Sequence, residues 1–447
     1  MPHNKEMITG WGRTQPVAAK IISYDPTSDG MSPFLDGPAI PRGLGRSYGD
    51  AAQLGGGVAI TLPDAIDTAT IDEAGHLSVG AGTSIDSILA RYVPQGFFVP
   101  VTPGTRYVTI GGAIAADVHG KNHHVDGTFA ANVQNFELLT PVGSYHVNPL
   151  TTPEIFWATA GGMGLTGLIT SATIKMLPIE TSYMSVETRR IGDLDELLAT
   201  MIGSDHNFRY SVAWIDCLAK GGAMGRSVLT RGEHATLGSL DARRAKDPLS
   251  YEPRVRLSAP RWVPNGVLNL ASVAAFNEMW FRKAPRHRQD ELISLSGFFH
   301  PLDGVRDWNR IYGSTGFLQY QFVLPDGKEE QLRRILERIS AAKVASFLAV
   351  LKRFGAANPG ILSFPRPGWT LALDIPIGAS HLGLLLDELD QEVLSAGGKI
   401  YLAKDSRCDA ETIAAMYPRL GELAEIKERL DPQGIIKSDL SRRLRLV

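Results

Sequence analysis

From Pro41 to Met176 apolar residues come in short runs of β character, each broken by glycine: VAITL at 58–62, HLSVGAG at 76–82, VQNFELLTPVG at 133–143 and GLITSATIKML at 167–177. Alternation over so few positions predicts short, half-buried strands. Among them SIDSILARYVPQG (84–96) repeats at a helical interval, with Ile85, Ile88 and Leu89 behind Ser84, a residue suited to capping a helix. This stretch reads as an α+β domain.

The texture changes from about Tyr183 to Lys399. Glycine thins, and the strand-like SVAWIDCL, FLQYQFVLP, ASFLAVLKRFG and GWTLALDIPI alternate with two amphipathic helix patterns, KEEQLRRILERISAA and SHLGLLLDELDQEVLSAGG. From FLQYQFVLP onward the expected order is strand, helix, strand, strand, helix, strand, that of a ferredoxin-like layer of helices on an antiparallel sheet. A second domain is therefore expected. Inside it RRAKDPLSYEPRVRLSAPRWVPNGVLN (243–269) is irregular and too long for a turn. Residues 251–288 set Arg254, Arg256, Arg261, Arg282, Lys283, Arg286 and Arg288 against only Glu252 and Glu278, with Trp262, Trp280 and Phe281 interleaved. Two readings stand: a solvated loop, or a surface that meets anionic lipid or a lipid phosphate. The C-terminal segment from Tyr401 predicts a helix around ERLDP and then a basic tail, and no internal repeat is visible.

A chain of 447 residues exceeds one ordinary core, so two or three domains, or one with a large insertion, are expected. The composition is that of a globular protein, and a formal net charge of -2 gives no overall pull toward nucleic acid. Cys217 and Cys408 lack the paired spacing of a structural zinc site or a disulfide framework, so no metal is expected. The N-terminal MPHNKEMITGWGRTQ has no apolar run behind a basic head, and no stretch approaches the roughly 18 apolar residues of a spanning helix. Membrane contact is expected to be peripheral at most, with cytoplasmic, plasma-membrane and cell-envelope placements all open.

The segment PRGLGRSYGDAAQLGGG (41–57) holds six glycines in seventeen positions. Glycine lets the main chain turn through positive φ and lets another molecule approach bare amides, which can converge on an anion. The pattern is not G-x-G-x-x-G between a strand and a helix, so a Rossmann site is not indicated. Two more such blocks follow: TPGTRYVTIGGAIAADVHGKNHH (102–124) and FWATAGGMGLTGLITSATI (156–174).

In this order and at these distances, the three blocks resemble the FAD-binding domain of the vanillyl-alcohol-oxidase-like, PCMH-type flavoproteins. The resemblance implies a two-domain α+β fold in which residues 1–182 and 399–447 hold FAD and residues 183–398 form an antiparallel-sheet substrate domain. It implies cofactor contacts from Arg42, Gly43, Leu44, Gly45, Arg46, Ser47, Tyr48 and Gly49 in the first block. The second block would supply Pro103, Gly104, Thr105, Ile110, Gly111, Gly112, Ala115, His119, Gly120, Lys121 and Asn122. Gly162, Gly164, Gly167 and Ile169 would follow from the third, and Lys404 from YLAKDSR. Many members join the flavin covalently to a histidine at the place of Arg46, and an arginine cannot form that bond, so non-covalent FAD is expected.

The motifs GWGRT, HGKNHH, FLQYQFVLP, SFLAVLKRFG, LSFPRPGW, YLAKDSR and SRRLRL extend the resemblance over nearly the whole chain. They point to the branch of the family that oxidises the 2′-hydroxyl of decaprenylphosphoryl-β-D-ribose to the keto sugar, the first half of an epimerisation that supplies arabinose for cell-wall arabinan. That implies a lipid-linked phosphoribose substrate and an NAD-dependent short-chain reductase as partner. A flavin oxidase of a soluble sugar or alditol is the alternative; a non-catalytic flavoprotein scaffold would have no use for ionisable groups beside the ring.

Oxidising a secondary alcohol requires a group to take the hydroxyl proton, an acceptor for the hydride, and positive charge near the acceptor. The resemblance assigns contact with flavin and reacting hydroxyl to Lys404, then to His119 and Tyr48. It places Lys352 in the substrate pocket, where an ammonium suits a phosphodiester. Gln319 and Gln321 share one face of a strand and could wall the flavin, while Trp214, Leu348 and Val350 read as apolar wall. Thr370 and Ala372 in GWTLALD are assigned to the substrate side, but relatives commonly carry asparagine and cysteine there. No thiol then stands on this strand for an activated nitroaromatic to trap, and Phe299 likewise stands where relatives can carry tyrosine.

Overall fold

The structure is a computed structural model that describes residues 5–27, 32–255, 257–378 and 381–446. Arg256 of the basic segment and Ser380 at the head of the SHLGL pattern lie outside the described residues.

The glycine-rich part builds two small sheets. Lys5–Ile8, Val17–Ser23, Val58–Thr61 and Ala39–Pro41 form the first in that order, antiparallel at its outer strand and parallel through the rest. The second is antiparallel, ordered Thr70–Ile71, His76–Gly80, Leu168–Lys175, Val133–Thr140 and Gly143–Val147. The helix expected behind Ser84 spans Ile85–Tyr92, and the serine side chain accepts from the Ser87 amide at 3.0 Å. Its periodic residues Ile85, Ile88 and Leu89 are wholly buried, each contributing about 1.5–3 kcal/mol by leaving water.

At Tyr183 the chain enters an eight-stranded antiparallel sheet. Its order is His287–Ser294, Tyr183–Ile191, Ser227–His234, Tyr210–Ile215, Ala349–Phe354, Gly368–Pro376, Phe317–Pro325 and Lys399–Ile400. The last four strands, with helices Glu329–Ala341 and Leu382–Ser395, are the expected ferredoxin-like unit. The first four, with helices Leu194–Ser204 and Leu270–Lys283, repeat the same chain order and the same spatial order, fourth, first, third, second. The two units join at their second strands, where Trp214 faces Val350 and Ala213 faces Leu351. The repeat is one of topology alone, which is why the sequence shows none. Helix Leu270–Lys283 was hidden because its first turns are small and exposed; it starts from a capping box between Asn269 and Ser272.

The strand register decides what the cavity sees. Residues opposite one another share a face, so Trp214, Val350, Ala372 and Gln321 make one row, Lys352, Thr370 and Val323 the next, and Asp374 with Gln319 another. The other face carries Phe322, Leu324, Leu371 and Leu373, fully buried in the main core with Leu332, Ile335, Leu386 and Leu389 of the two helices.

The C-terminal residues return to the first layer, where the Ala39 amide donates to Ile435 and that of Lys437 to Ala39. The expected basic tail is a packed helix, Asp439–Leu444, capped by Ser438. Arg443 donates to Asp50, Asp405 and the Cys408 carbonyl, and the side chains of both aspartates are 2% exposed. Removing the guanidinium would strand two buried charges at a cost of about 3–5 kcal/mol. No helix among the described residues is long and apolar enough to cross a membrane.

Candidate functional site

A cavity of about 410 Å³ separates the glycine-rich layer from the sheet face just described. Residues 42–48 form one wall. Gly45 turns at φ +65°, and a Cβ there would stand 2.4 Å from the Arg42 guanidinium. Arg42 spends that guanidinium inside the loop, on the carbonyls of Ala52 (2.6 Å) and Thr9 (2.8 Å), so it holds the loop's shape. Arg46 lies over Trp11, 3.8 Å from the ring centroid, and its Nε is buried without a hydrogen-bond partner among the described residues.

The second block supplies the floor with Pro103, Gly104, Thr105, Gly111, Gly112, Ala115, His119, Gly120 and Lys121, and the third adds Gly164, Gly167 and Ile169. Asp303 holds the 105–106 turn by accepting from Thr105 Oγ1 (2.7 Å) and the Arg106 amide (2.8 Å). Opposite stand Val212, Gln319, Gln321, Val350, Lys352 and Ala372 from the sheet, with Leu302, Trp308 and Leu348 closing an apolar end. Phe299 also lines the cavity, with no hydroxyl to offer.

Six of the expected contact residues are not on the lining. Gly49 packs under it, where a Cβ would fall 2.0 Å from the Asp405 carbonyl oxygen. Ile110 and Gly162 are turned into the core and the preceding helix end. Asn122 donates to the Pro100 carbonyl and Asp126. Trp214 donates to the Phe347 carbonyl, and Thr370 sits one step behind Gln321. Conversely, the sequence reading passed over Trp11 and Tyr401 on the lining and buried Asp374 beside it. Asp374 was findable: it is two positions beyond Ala372 on the same strand face.

The cavity gathers three lysines, with Asp374 the carboxylate that acts on Lys404. Lys404 Nζ lies 4.0 Å from the Tyr48 ring centroid, and neither Lys404 nor Lys352 has a hydrogen bond from its ammonium among the described residues. Burial, then the neighbouring Lys404, brings Lys352 down to about 7. Burial, then Lys352, brings Lys121 to about 7; it donates to the Phe298 carbonyl. Lys404 is lowered by burial and partly restored by Asp374, whose own carboxyl burial raises while Gln319 donates to it. Burial foremost, then Lys352, His123 and Lys404, keeps His119 neutral well below its ordinary range. Such a site favours an anionic or electron-rich ligand.

FAD suits these residues: a glycine-rich loop along one wall and, among the described residues, two buried polar atoms without a partner, Arg46 Nε and His119 Nδ1. The family model described as FAD binding domain matches residues 35–147, which span the first two glycine blocks. The chain is 44% identical to the decaprenylphosphoryl-beta-D-ribose oxidase of Mycolicibacterium smegmatis over 459 aligned residues, 100% of this chain and 99% of that protein. It is 40% identical to an uncharacterized protein in the mprA 5′ region of Streptomyces coelicolor, over 79% of this chain and 97% of that one. Cytokinin dehydrogenase 2 of Arabidopsis thaliana is 26% identical across 35% of this chain and 30% of its own.

The two lysines at about 7 set a pH dependence for the FAD-free protein. Their folded values lie below the unfolded one, so the unfolded chain holds the extra protons between about pH 7 and 10, and the contribution of these two lysines to stability rises with pH there. The urea midpoint of FAD-free protein is expected to increase from pH 7 to 9, and Lys352→Met to flatten that rise.

Proposed function

The chain belongs to the decaprenylphosphoryl-β-D-ribose oxidase family, and from that premise we propose how its cavity works: as an FAD-dependent oxidase of the 2′-hydroxyl of a decaprenylphosphoryl-β-D-ribose. The observation that carries the reading is the lysine group beside an apolar end. Lys121 and Lys352 offer charge to a phosphodiester, and Leu302, Trp308 and Leu348 offer a path to its lipid. A soluble sugar would need neither, and favours a closed polar pocket.

In this reading residues 1–182 with 399–447 hold FAD, and residues 183–398 present the substrate. The loop at 42–48, the 103–105 turn and the glycines at 111, 112, 164 and 167 hold the cofactor through bare backbone, with Arg46 at the place where a covalent link would need histidine. FAD is therefore held without a covalent bond. When bound, it supplies the two-electron acceptor that oxidation of a carbinol requires. Lys404, kept partly deprotonated by burial and oriented over Tyr48, takes the hydroxyl proton. Gln319 and Gln321 orient the sugar, and Lys352 holds the phosphate. Closing an epimerisation then requires a reductase acting on the keto product, and an NAD-dependent short-chain enzyme is the partner proposed.

The substrate's lipid places the protein at a membrane surface, and the 251–288 segment is built for it. Leu257, Trp262, Met279 and Trp280 are 68%, 80%, 57% and 42% exposed. Arg254, Arg261, Lys283 and Arg286 are exposed beside them and have no ion pair among the described residues. Leu268 of the same segment packs with Trp308 and Leu348 at the apolar end of the cavity. Peripheral docking on an anionic bilayer brings that end to the lipid.

Anaerobic addition of decaprenylphosphoryl-β-D-ribose is expected to bleach the visible flavin band, while ribose and alditols leave it; equal bleaching by a free polyol would overturn the substrate. Lys404→Met should keep its FAD but slow bleaching about 10²-fold or more, and the wild-type rate should rise with pH across neutrality as the lysine loses its proton. Acid precipitation should release all FAD into the supernatant. Phosphatidylglycerol vesicles should co-sediment the protein where phosphatidylcholine vesicles do not, with at least a tenfold loss in a Trp262→Ser, Arg261→Ser variant.

A further inference from the structure

Thr370 does not reach the cavity, yet its hydroxyl fixes the protonation pattern of a group that does. The hydroxyl has one proton, and the Phe322 carbonyl, which can only accept, lies 2.9 Å away and takes it. The Thr370 oxygen therefore meets Gln321 as an acceptor, at 3.2 Å, and the amide must turn its N–H₂ to that side. The same Nε2 stands 3.0 Å from His119 Nε2 and gives it the second proton. A ring nitrogen that accepts carries no hydrogen, so the imidazole proton belongs on Nδ1. That nitrogen is buried with no partner among the described residues, although His119 lines the cavity.

Among the described residues, the neighbours of His119 leave the relay as the only fixed hydrogen bond to the ring. Phe354, Phe364 and Tyr401 pack against it at 4.8, 5.7 and 5.2 Å between centroids, and the Tyr401 hydroxyl is spent on the Ala116 carbonyl. Lys352, His123 and Lys404 are the ionisable groups that act on it, and no carboxylate does. A flipped Gln321 amide would set its oxygen against the Thr370 oxygen, whose proton is already committed, so the two tautomers of His119 are not equivalent in this setting.

We propose that Thr370 is a positioning residue: through Gln321 it holds His119, on the cavity lining, as the neutral Nδ1–H tautomer, so that neither ring nitrogen is free to be the base for the substrate hydroxyl. The proposal rests on the reading that the cavity holds FAD and a carbinol. It divides the labour there, with the proton going to Lys404 and the imidazole held neutral in one tautomer. Valine at 370 keeps the volume but removes the acceptor, freeing the amide to turn and the imidazole to place its proton on Nε2.

The test is long-range proton–nitrogen NMR of FAD-loaded protein labelled with ¹⁵N-histidine, the His119 signals being those lost in His119→Gln. Wild type and Thr370→Ser are expected to show an unprotonated Nε2 and a protonated Nδ1. Thr370→Val should move the ring to the other tautomer or to a mixture and slow anaerobic flavin bleaching at least tenfold, with FAD content unchanged. A protonated Nε2 in wild type overturns the proposal, as does a Thr370→Val or Thr370→Ala protein whose tautomer is unaltered. The wild-type spectrum needs neither a foldable variant nor the right sugar. A mistaken substrate would show as failure of bleaching in every protein with the tautomers as expected.

Discussion

Residues 48–50 and 403–405 lie backbone against backbone, and the placement of the ionisable groups follows from that contact. The Tyr48 amide donates to the Ala403 carbonyl at 2.9 Å, and Gly49 leaves no room for a Cβ against Asp405. Asp50 and Asp405 are then bridged by Arg443 from the last helix. Two segments more than 350 positions apart are thus pinned so that Lys404 meets the Tyr48 ring across the cavity edge. Any side chain at position 49 would push Lys404 away from the 42–48 loop.

Given that contact, electrostatics does most of the rest. Three lysines and a histidine share a small volume with one carboxylate, Asp374, near enough to matter to Lys404. Burial weakens their hold on protons, and each lowers its neighbour's further. An anionic ligand relieves that repulsion, so binding and charge are coupled: the protein carries a cost that phosphate-bearing ligands offset. Leu302, Trp308 and Leu348 make part of the same lining apolar.

The sheet supplies direction where the lysines supply charge. Because Gln321 faces Ala372 and Thr370 faces Lys352 in an unbroken antiparallel register, hydroxyl, amide and ammonium are set on one face at fixed intervals. The hydroxyl of Thr370 can then act on His119 without touching the cavity. The alanine at 372 on the lining leaves that face smooth and without a thiol.

The sequence by itself determined the local elements and the chemistry of the loops. Alternation and capping at Ser84, the strand–helix order after Phe317 and the three glycine blocks were all legible, because each depends on neighbours within a dozen residues. The tertiary structure alone decided that residues 183–294 repeat the topology of 317–400, since the first unit's outer strand is polar and exposed and its second helix carries few buried side chains. It decided, too, that Arg42 braces a loop, that the basic tail is a clamping helix, that Thr370 stands behind Gln321, and that Asp374 faces Lys404. Those facts depend on which segments distant in the chain come within a hydrogen bond of one another, and composition or period carries no record of that distance.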